Sequence, residues 1–336
     1  MDNRSLVVIS PSSEILSDKM GLAERVEYTG RVCYKSEDLI TPESSPMFCR
    51  KMRDHKHNSV LEMAVRSYKV ICGFHPYMDE IFRSIPKFLI IDNLGSQTWL
   101  ITGSVRAFRE SLMLLPGSDV FREIGADICT NHPYFFDDLI ASVDTVGGAV
   151  VQRVSLEEID QMSSKIQARH RHVAVKFIVN RAVTHEIVRH RPCAFLQESQ
   201  RYCRYGSGKF GDRVTFIKPM FFKEDSEGYR LWEQAMLETE RIYLDLVNMK
   251  DENGKNLYTA QAARTVLPNS CKTELFLYAP LTEWHHILHM RTSKAAEPSM
   301  REVMIPLQQE FITRWPNQNF GEPLRMPEGW VASAKA

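Results

Sequence analysis

Apolar and polar positions alternate most clearly at residues 173–179, where Ala174, Lys176 and Ile178 separate Val173, Val175, Phe177 and Val179. A period of two predicts a strand. Similar patterns predict strands over 5–10, 64–72, 213–217 and 272–279. Helical spacing predicts a helix over 12–28, with Ser12 or Ser13 as its cap, and further helices over 45–56, 76–84, 104–114 and 118–129. Residues 180–190 read as a helix stopped at Arg191-Pro192, because a residue before proline avoids the helical region. A long helix over 225–250 ends before Asn253-Gly254, and shorter ones cover 258–266 and 281–291. In the last, 297–314, Met300, Val303, Met304, Leu307 and Phe311 form one apolar stripe, so these methionines belong to a core or an interface.

No Pro/Gly/Ser-rich linker interrupts this order, and no repeat of fixed period is present. Residues 1–325 therefore read as one domain, with 73–165 as a less regular elaboration inside it and 326–336 as a tail. Lys+Arg and Asp+Glu both total 42, so the formal net charge is zero. That argues against a chain that wraps nucleic acid, while leaving room for a local basic site. No apolar run approaches the roughly 18 residues of a membrane span. The apolar start, Leu6-Val7-Val8-Ile9, is too short for a secretory signal. The seven cysteines are odd in number and form no Cys-x-x-Cys pair. They read as free thiols in a reducing cytoplasm.

Candidate chemistry is densest at Thr184-His185-Glu186-Ile187-Val188-Arg189-His190-Arg191 and Gln197-Glu198-Ser199-Gln200-Arg201-Tyr202. Arg189 and Arg191 offer planar charged forks that suit phosphates and pyrimidine carbonyls. Ser199 and Arg201, two apart, would project from one side of an extended chain as a phosphate clamp. The plainer alternative is a solvated charged turn, against which stands the uncharged insert Pro192–Leu196. Arg264 and Arg291 each end a predicted helix, where a lone arginine ordinarily pairs with the last carbonyls. Gly206-Ser207-Gly208-Lys209-Phe210-Gly211 matches Gly-x-Gly-x-x-Gly formally, but a strand-like segment follows it where a dinucleotide fold needs a helix. The histidines at 170, 172, 285, 286 and 289 lack the carboxylate or cysteine partners of a metal site, and none is expected.

Arg189-His190-Arg191, seven residues and then Ser199 resembles the signature of the flavin-dependent thymidylate synthases. Four more segments resemble that family in order: Arg31–Ser36, His57–Glu62, Ala263–Pro268 and Arg291–Ala296. The resemblance implies an α+β fold, with a mixed sheet and packed helices, in a cytoplasmic homotetramer whose active sites are shared between subunits. It implies methylation of deoxyuridylate (dUMP) to thymidylate, with FAD, methylenetetrahydrofolate as carbon donor and NADPH as reductant, and no nucleic-acid or membrane partner. His57, Ser59, Glu62, Arg189, His190, Arg191, Gln197 and His286 are the implied cofactor contacts. Glu186, Arg189, Gln197, Glu198, Ser199, Arg201, Arg264 and Arg291 are the implied substrate contacts, Arg291 acting on the uracil ring as the catalytic group.

One departure stands out. Where the family has Asn-Leu-Arg-Glu-Trp, this chain has Pro280-Leu281-Thr282-Glu283-Trp284, which removes two flavin-contacting side chains. Arg106, in a segment of similar cadence, is the candidate to replace the lost charge. Hydroxymethylation of the same nucleotide, and non-catalytic binding of a nucleotide or RNA, are the alternatives.

Overall fold

The computed structural model describes residues 5–72, 81, 88–140, 149–206 and 208–322. Among these, the strands are β1 (Val7–Ile9), β2 (Ser12–Ile15), β3 (Val65–Cys72), β4 (Leu89–Gly95), β5 (Thr98–Ser104), β6 (Ala149–Val154), β7 (His172–Asn180), β8 (Ala194–Gln197), β9 (Thr215–Ile217) and β10 (Lys272–Pro280). Two four-stranded sheets form, ordered β2-β7-β10-β8 and β4-β5-β3-β6, beside a β1-β9 pair. With its helices the chain is α+β. Both large sheets are antiparallel throughout, and only β1 and β9 run parallel. The expected mixed sheet is thus corrected. Alternation along a strand reveals which face is buried but not which way its neighbour runs.

Strand β10 sits inside the first sheet with both faces covered. Leu275, Leu277 and Ala279 pack with Trp284, Ile287, Met300, Val303, Met304, Leu307 and Phe311. These come from the helices Leu281–Thr292 and Pro298–Arg314, so the methionine stripe is core. Phe276 and Tyr278 face the opposite way, into a cluster that also holds Val26, Phe48, Phe108, Phe121 and Phe136. A strand buried on both faces reads as a continuous apolar run, as 275–281 does. A third cluster joins Phe216 to Met236, Tyr243 and Val247 on the long helix Glu227–Asn248.

The helix expected over 12–28 is a correction. Residues 12–15 are β2, with Ile15 opposite Val175, and the helix runs Leu22–Tyr34. Glu24 Oε2 accepts from the Gly21 N–H at 2.9 Å, which starts the helix there. The helices Ser44–Asp54, Val105–Leu114 and Asp119–Asn131 lie close to expectation. The β4–β5 hairpin was not legible: Ser96 and Gln97 both adopt positive φ, 48° and 62°, without the Asn-Gly that usually announces such a turn. The short helix over 76–84 and the tail 326–336 fall outside the described residues, apart from Ile81. No helix among the described residues is long and apolar enough to cross a membrane.

Candidate functional site

Strand β7 leads into the helix Arg181–Ile187, whose start is capped by Asn180 accepting from the Val183 N–H at 2.9 Å. The helix stops earlier than expected. The N–H groups of Arg189 and His190 turn back to the carbonyls of Glu186 and Ile187 at 3.3 and 3.2 Å. This tight turn brings Glu186 and His190 to the last turn of the helix Leu281–Thr292.

There Arg291 does not cap its own helix. Its Nη1 pairs with Glu186 Oε2 at 2.5 Å, its Nη2 donates to the Glu186 carbonyl at 3.1 Å, and its Nε donates to His190 Nε2 at 2.9 Å. Three of the five guanidinium N–H donors are so used, and two remain. The arginine that does cap a helix end is Arg191, whose Nη1 donates to the carbonyls of Val188 and His190. Arg189 is exposed, and its guanidinium has no partner among the described residues. His190 is buried and packs edge-on against the exposed His286, ring centroids 5.6 Å apart. Burial, then the charges of Arg291 and His286, push the His190 imidazole down to about 4.

Beyond β8 the chain turns. The N–H groups of Tyr202 and Cys203 both bond the Ser199 carbonyl, at 3.1 and 2.9 Å. The extended 199–201 segment expected for a clamp is therefore corrected. A turn instead brings the Arg201 N–H to Ser199 Oγ at 3.4 Å. Arg201 Nε donates to Gln261 Oε1 at 3.1 Å, on the short helix Ala260–Ala263 that Arg264 follows. Arg201 and Arg264 are thus drawn to one region. Arg181 joins them, a residue whose sequence position carried no signal. It is half-buried, and burial and the charge of Arg264 both lower its proton affinity. Neither Arg181 nor Arg264 has an ion-pair partner among the described residues.

Two residues expected at the substrate make internal bonds. Glu198 is 2% exposed; it accepts from Tyr205 Oη and Lys272 Nζ, both at 2.9 Å. The amide nitrogen of Gln197 donates to Thr184 Oγ1 at 2.9 Å. Glu198 adjoins Lys35 and Glu274, a buried charge network whose cations hold the Glu274 carboxyl down to about 2 against its burial.

Glu62 lies in the short turn Val60–Met63, and His57 and Ser59 just precede it; Tyr34 contacts both His57 and Tyr202. His57 and Ser59 are exposed, and Tyr34 stacks on His57 with centroids 6.3 Å apart. Glu62 pairs with Arg106 at 2.6 Å, and Arg106 also pairs with Glu110 at 2.7 Å. Arg106 does reach a candidate flavin residue, but two carboxylates already neutralise it. Glu62, Phe88, Ile90, Ser104, Cys193 and Pro280 line a cleft of about 80 Å³. Pro280 begins its helix without a side-chain bond, and Thr282 is exposed.

Burial pushes the Cys193 and Cys203 thiols up to about 12, so neither is a thiolate near neutrality. Among the described residues no three His, Cys, Asp or Glu side chains gather as a metal set.

Residues 156–317 match the family model described as thymidylate synthase complementing protein. His57, Ser59 and Glu62 lie outside that match. A flavin-dependent thymidylate synthase of Pyrococcus furiosus is 30% identical over 135 residues, 40% of this chain and 52% of that protein. One of Corynebacterium efficiens is 32% identical over 135 residues, 38% of this chain and 52% of that protein. The chain therefore spans about half the length of these curated relatives. A crystal structure of a UMP/dUMP methylase from Streptomyces cacaoi aligns over 94% of both chains at 13% identity, with a TM-score of 0.38, too loose a likeness to carry an argument. Over residues 156–317 the chain is similar to the thymidylate synthase complementing protein family, and its similarity to the flavin-dependent thymidylate synthases extends over 38–40% of its length.

Proposed function

We propose that the chain is a flavin-dependent thymidylate synthase, methylating dUMP with methylenetetrahydrofolate as carbon donor and NADPH as reductant. The observation that carries this reading is the joining of Arg291 to Glu186 and His190. It holds a guanidinium at a fixed angle with two N–H donors left over. Two donors toward uracil N3 and O4 would stabilise negative charge there and make C5 nucleophilic. Arg201, Arg264 and Arg181 supply cations for a dianionic phosphate, and Ser199 a hydroxyl. The raised thiols of Cys193 and Cys203 support chemistry without a protein thiolate.

The donor set fits a flavin. Arg189, exposed and unpaired among the described residues, suits a pyrophosphate oxygen. The exposed His286, packed against His190, offers a further imidazole. FAD would supply the hydride, which no side chain can. The protein's share is to bring the rings together and exclude water. The cleft beside Glu62 holds about 80 Å³, well below the about 300 Å³ at which small-molecule pockets begin. Its other wall would come from a second copy, in a cytoplasmic homotetramer with shared sites built from one catalytic domain, 1–325.

The test is the absorption spectrum of the purified protein, then the mass of the product formed from dUMP, methylenetetrahydrofolate and NADPH. A flavin spectrum with thymidylate as product supports the reading. A product heavier by one oxygen assigns hydroxymethylation, the second reading, which the loss of donors at Pro280 and Thr282 favours. A colourless protein that binds nucleotide without turnover overturns both.

A further inference from the structure

A cavity of about 300 Å³ lies between the two large sheets, and neither Arg291 nor Glu186 lines it. Arg25, Arg66, Arg153, His172 and Tyr278 are among its lining residues. The three arginines come from the helix Leu22–Tyr34, from β3 and from β6, so tertiary structure alone brings them together.

Their pairing is unequal. Arg153 is neutralised by Asp127, at 2.9 Å. Arg25 is 7% exposed; its Nη1 donates to Tyr278 Oη at 2.7 Å, but its buried Nε has no partner. Arg66 has no hydrogen bond or ion pair among the described residues, and burial disfavours its charged form. An unpaired, partly buried guanidinium carries a desolvation cost that an anion in the cavity would offset.

The acidic residues at the cavity do not fill that role. Asp18 is exposed and pairs with Arg171, Glu158 lies 3.6 Å from Lys69 and caps Ser155, and Glu157 is exposed at a helix start. His172 faces the cavity with its Nδ1 on the His170 carbonyl at 3.2 Å. Nδ1 must donate there, so Nε2 keeps a lone pair for a ligand hydroxyl.

We propose that this cavity is a binding site for a small phosphate-bearing molecule, with Arg66 and Arg25 as the cations that hold the phosphate. Its volume sits at the lower end of the range for small-molecule sites, about 300–1,000 Å³. It shares Val65, His172 and Tyr278 with the cleft that Glu62 lines, so an occupant would touch the wall of the candidate flavin cleft. The inference does not depend on the proposed reaction.

The experiment is calorimetric titration of the full chain with inorganic phosphate at constant ionic strength. It uses an Arg264→Ala background, which weakens the candidate nucleotide site and isolates this one. Saturable binding is expected, and Arg66→Met should weaken it about tenfold to a hundredfold, the scale for one charge-assisted hydrogen bond. Arg241→Met, which removes a charge from an exposed helix, should not. The ligand-free Arg66→Met protein should melt no lower than its parent, because it loses an unpaired charge. Should it fail to fold, Arg66→Lys keeps the charge but loses the fork, and should still weaken phosphate. Acetate should bind more weakly than phosphate. Equal phosphate affinity with and without Arg66, absence of saturable binding in the parent, or a preference for acetate would each overturn the assignment.

Discussion

Arg291 Nε donates a hydrogen bond to His190 Nε2 at 2.9 Å. An arginine cannot accept, so this nitrogen of His190 must carry a lone pair and the ring proton must sit on Nδ1. The bond ties the Arg-His-Arg turn to the end of the helix Leu281–Thr292, and it requires a neutral imidazole. A protonated His190 would face the guanidinium as a second cation.

Arg291→Lys follows directly. Lysine keeps a cation for Glu186 but loses the fork that reaches His190 and the Glu186 carbonyl. Turnover of dUMP at saturating substrate should fall about 10²–10³-fold, the scale for one lost oxyanion-type donor. Stability should fall by about 1–2 kcal/mol as the two bonds go. Near-normal kcat would remove Arg291 from the catalytic role.

The second expectation concerns pH. Folded His190 titrates at about 4 against an ordinary 6.5. Between these values the unfolded chain binds the proton and the folded one does not, so stability is lost as pH falls from about 6.5 to about 4. In His190→Gln an amide oxygen can still accept from Arg291, and the Tm should depend less on pH across that window. His172, also held down to about 4, leaves part of the slope in place. Curves of equal slope would count against the His190 contribution.

Arg201→Ala and Arg264→Ala should each raise the KM for dUMP, by about tenfold to a hundredfold for one charge-assisted pair. FAD content should hold. Lost flavin with unchanged nucleotide affinity would reverse the assignment of that region.

Glu198→Gln separates an internal role from a substrate-binding one. The carboxylate lies between Tyr205 and Lys272, so the amide should cost about 2 kcal/mol in unfolding free energy. The KM of the folded variant should stay near wild type. A raised KM with unchanged stability would return Glu198 to the substrate.

Cys193→Ala and Cys203→Ala, singly and together, should retain turnover, since both thiols are protonated at neutral pH. Complete loss of turnover in a folded, flavin-loaded variant would point to covalent catalysis by a cysteine.

Much of this chain was legible as sequence. Period-two alternation located β7, and the Met300–Phe311 stripe located the last buried helix, because burial of one face imprints its period locally. The spacing from Arg189 to Ser199 marked the candidate site. Direction and pairing were not legible. The β4–β5 hairpin turns on positive-φ Ser96 and Gln97, and residues 12–15 became a strand because β7 offered an edge to Ile15. Nor could spacing decide which arginine caps a helix and which reaches across. Arg191 returns to its own carbonyls, whereas Arg291, far along the chain, crosses to His190. Arg181 beside Arg264, and unpaired Arg66 near Arg25, depend likewise on elements distant in sequence. Local patterns record which side chains must leave water. Only the packed sheets and helices bring charged groups from distant segments within a few ångströms, where their charges and hydrogen bonds act on one another.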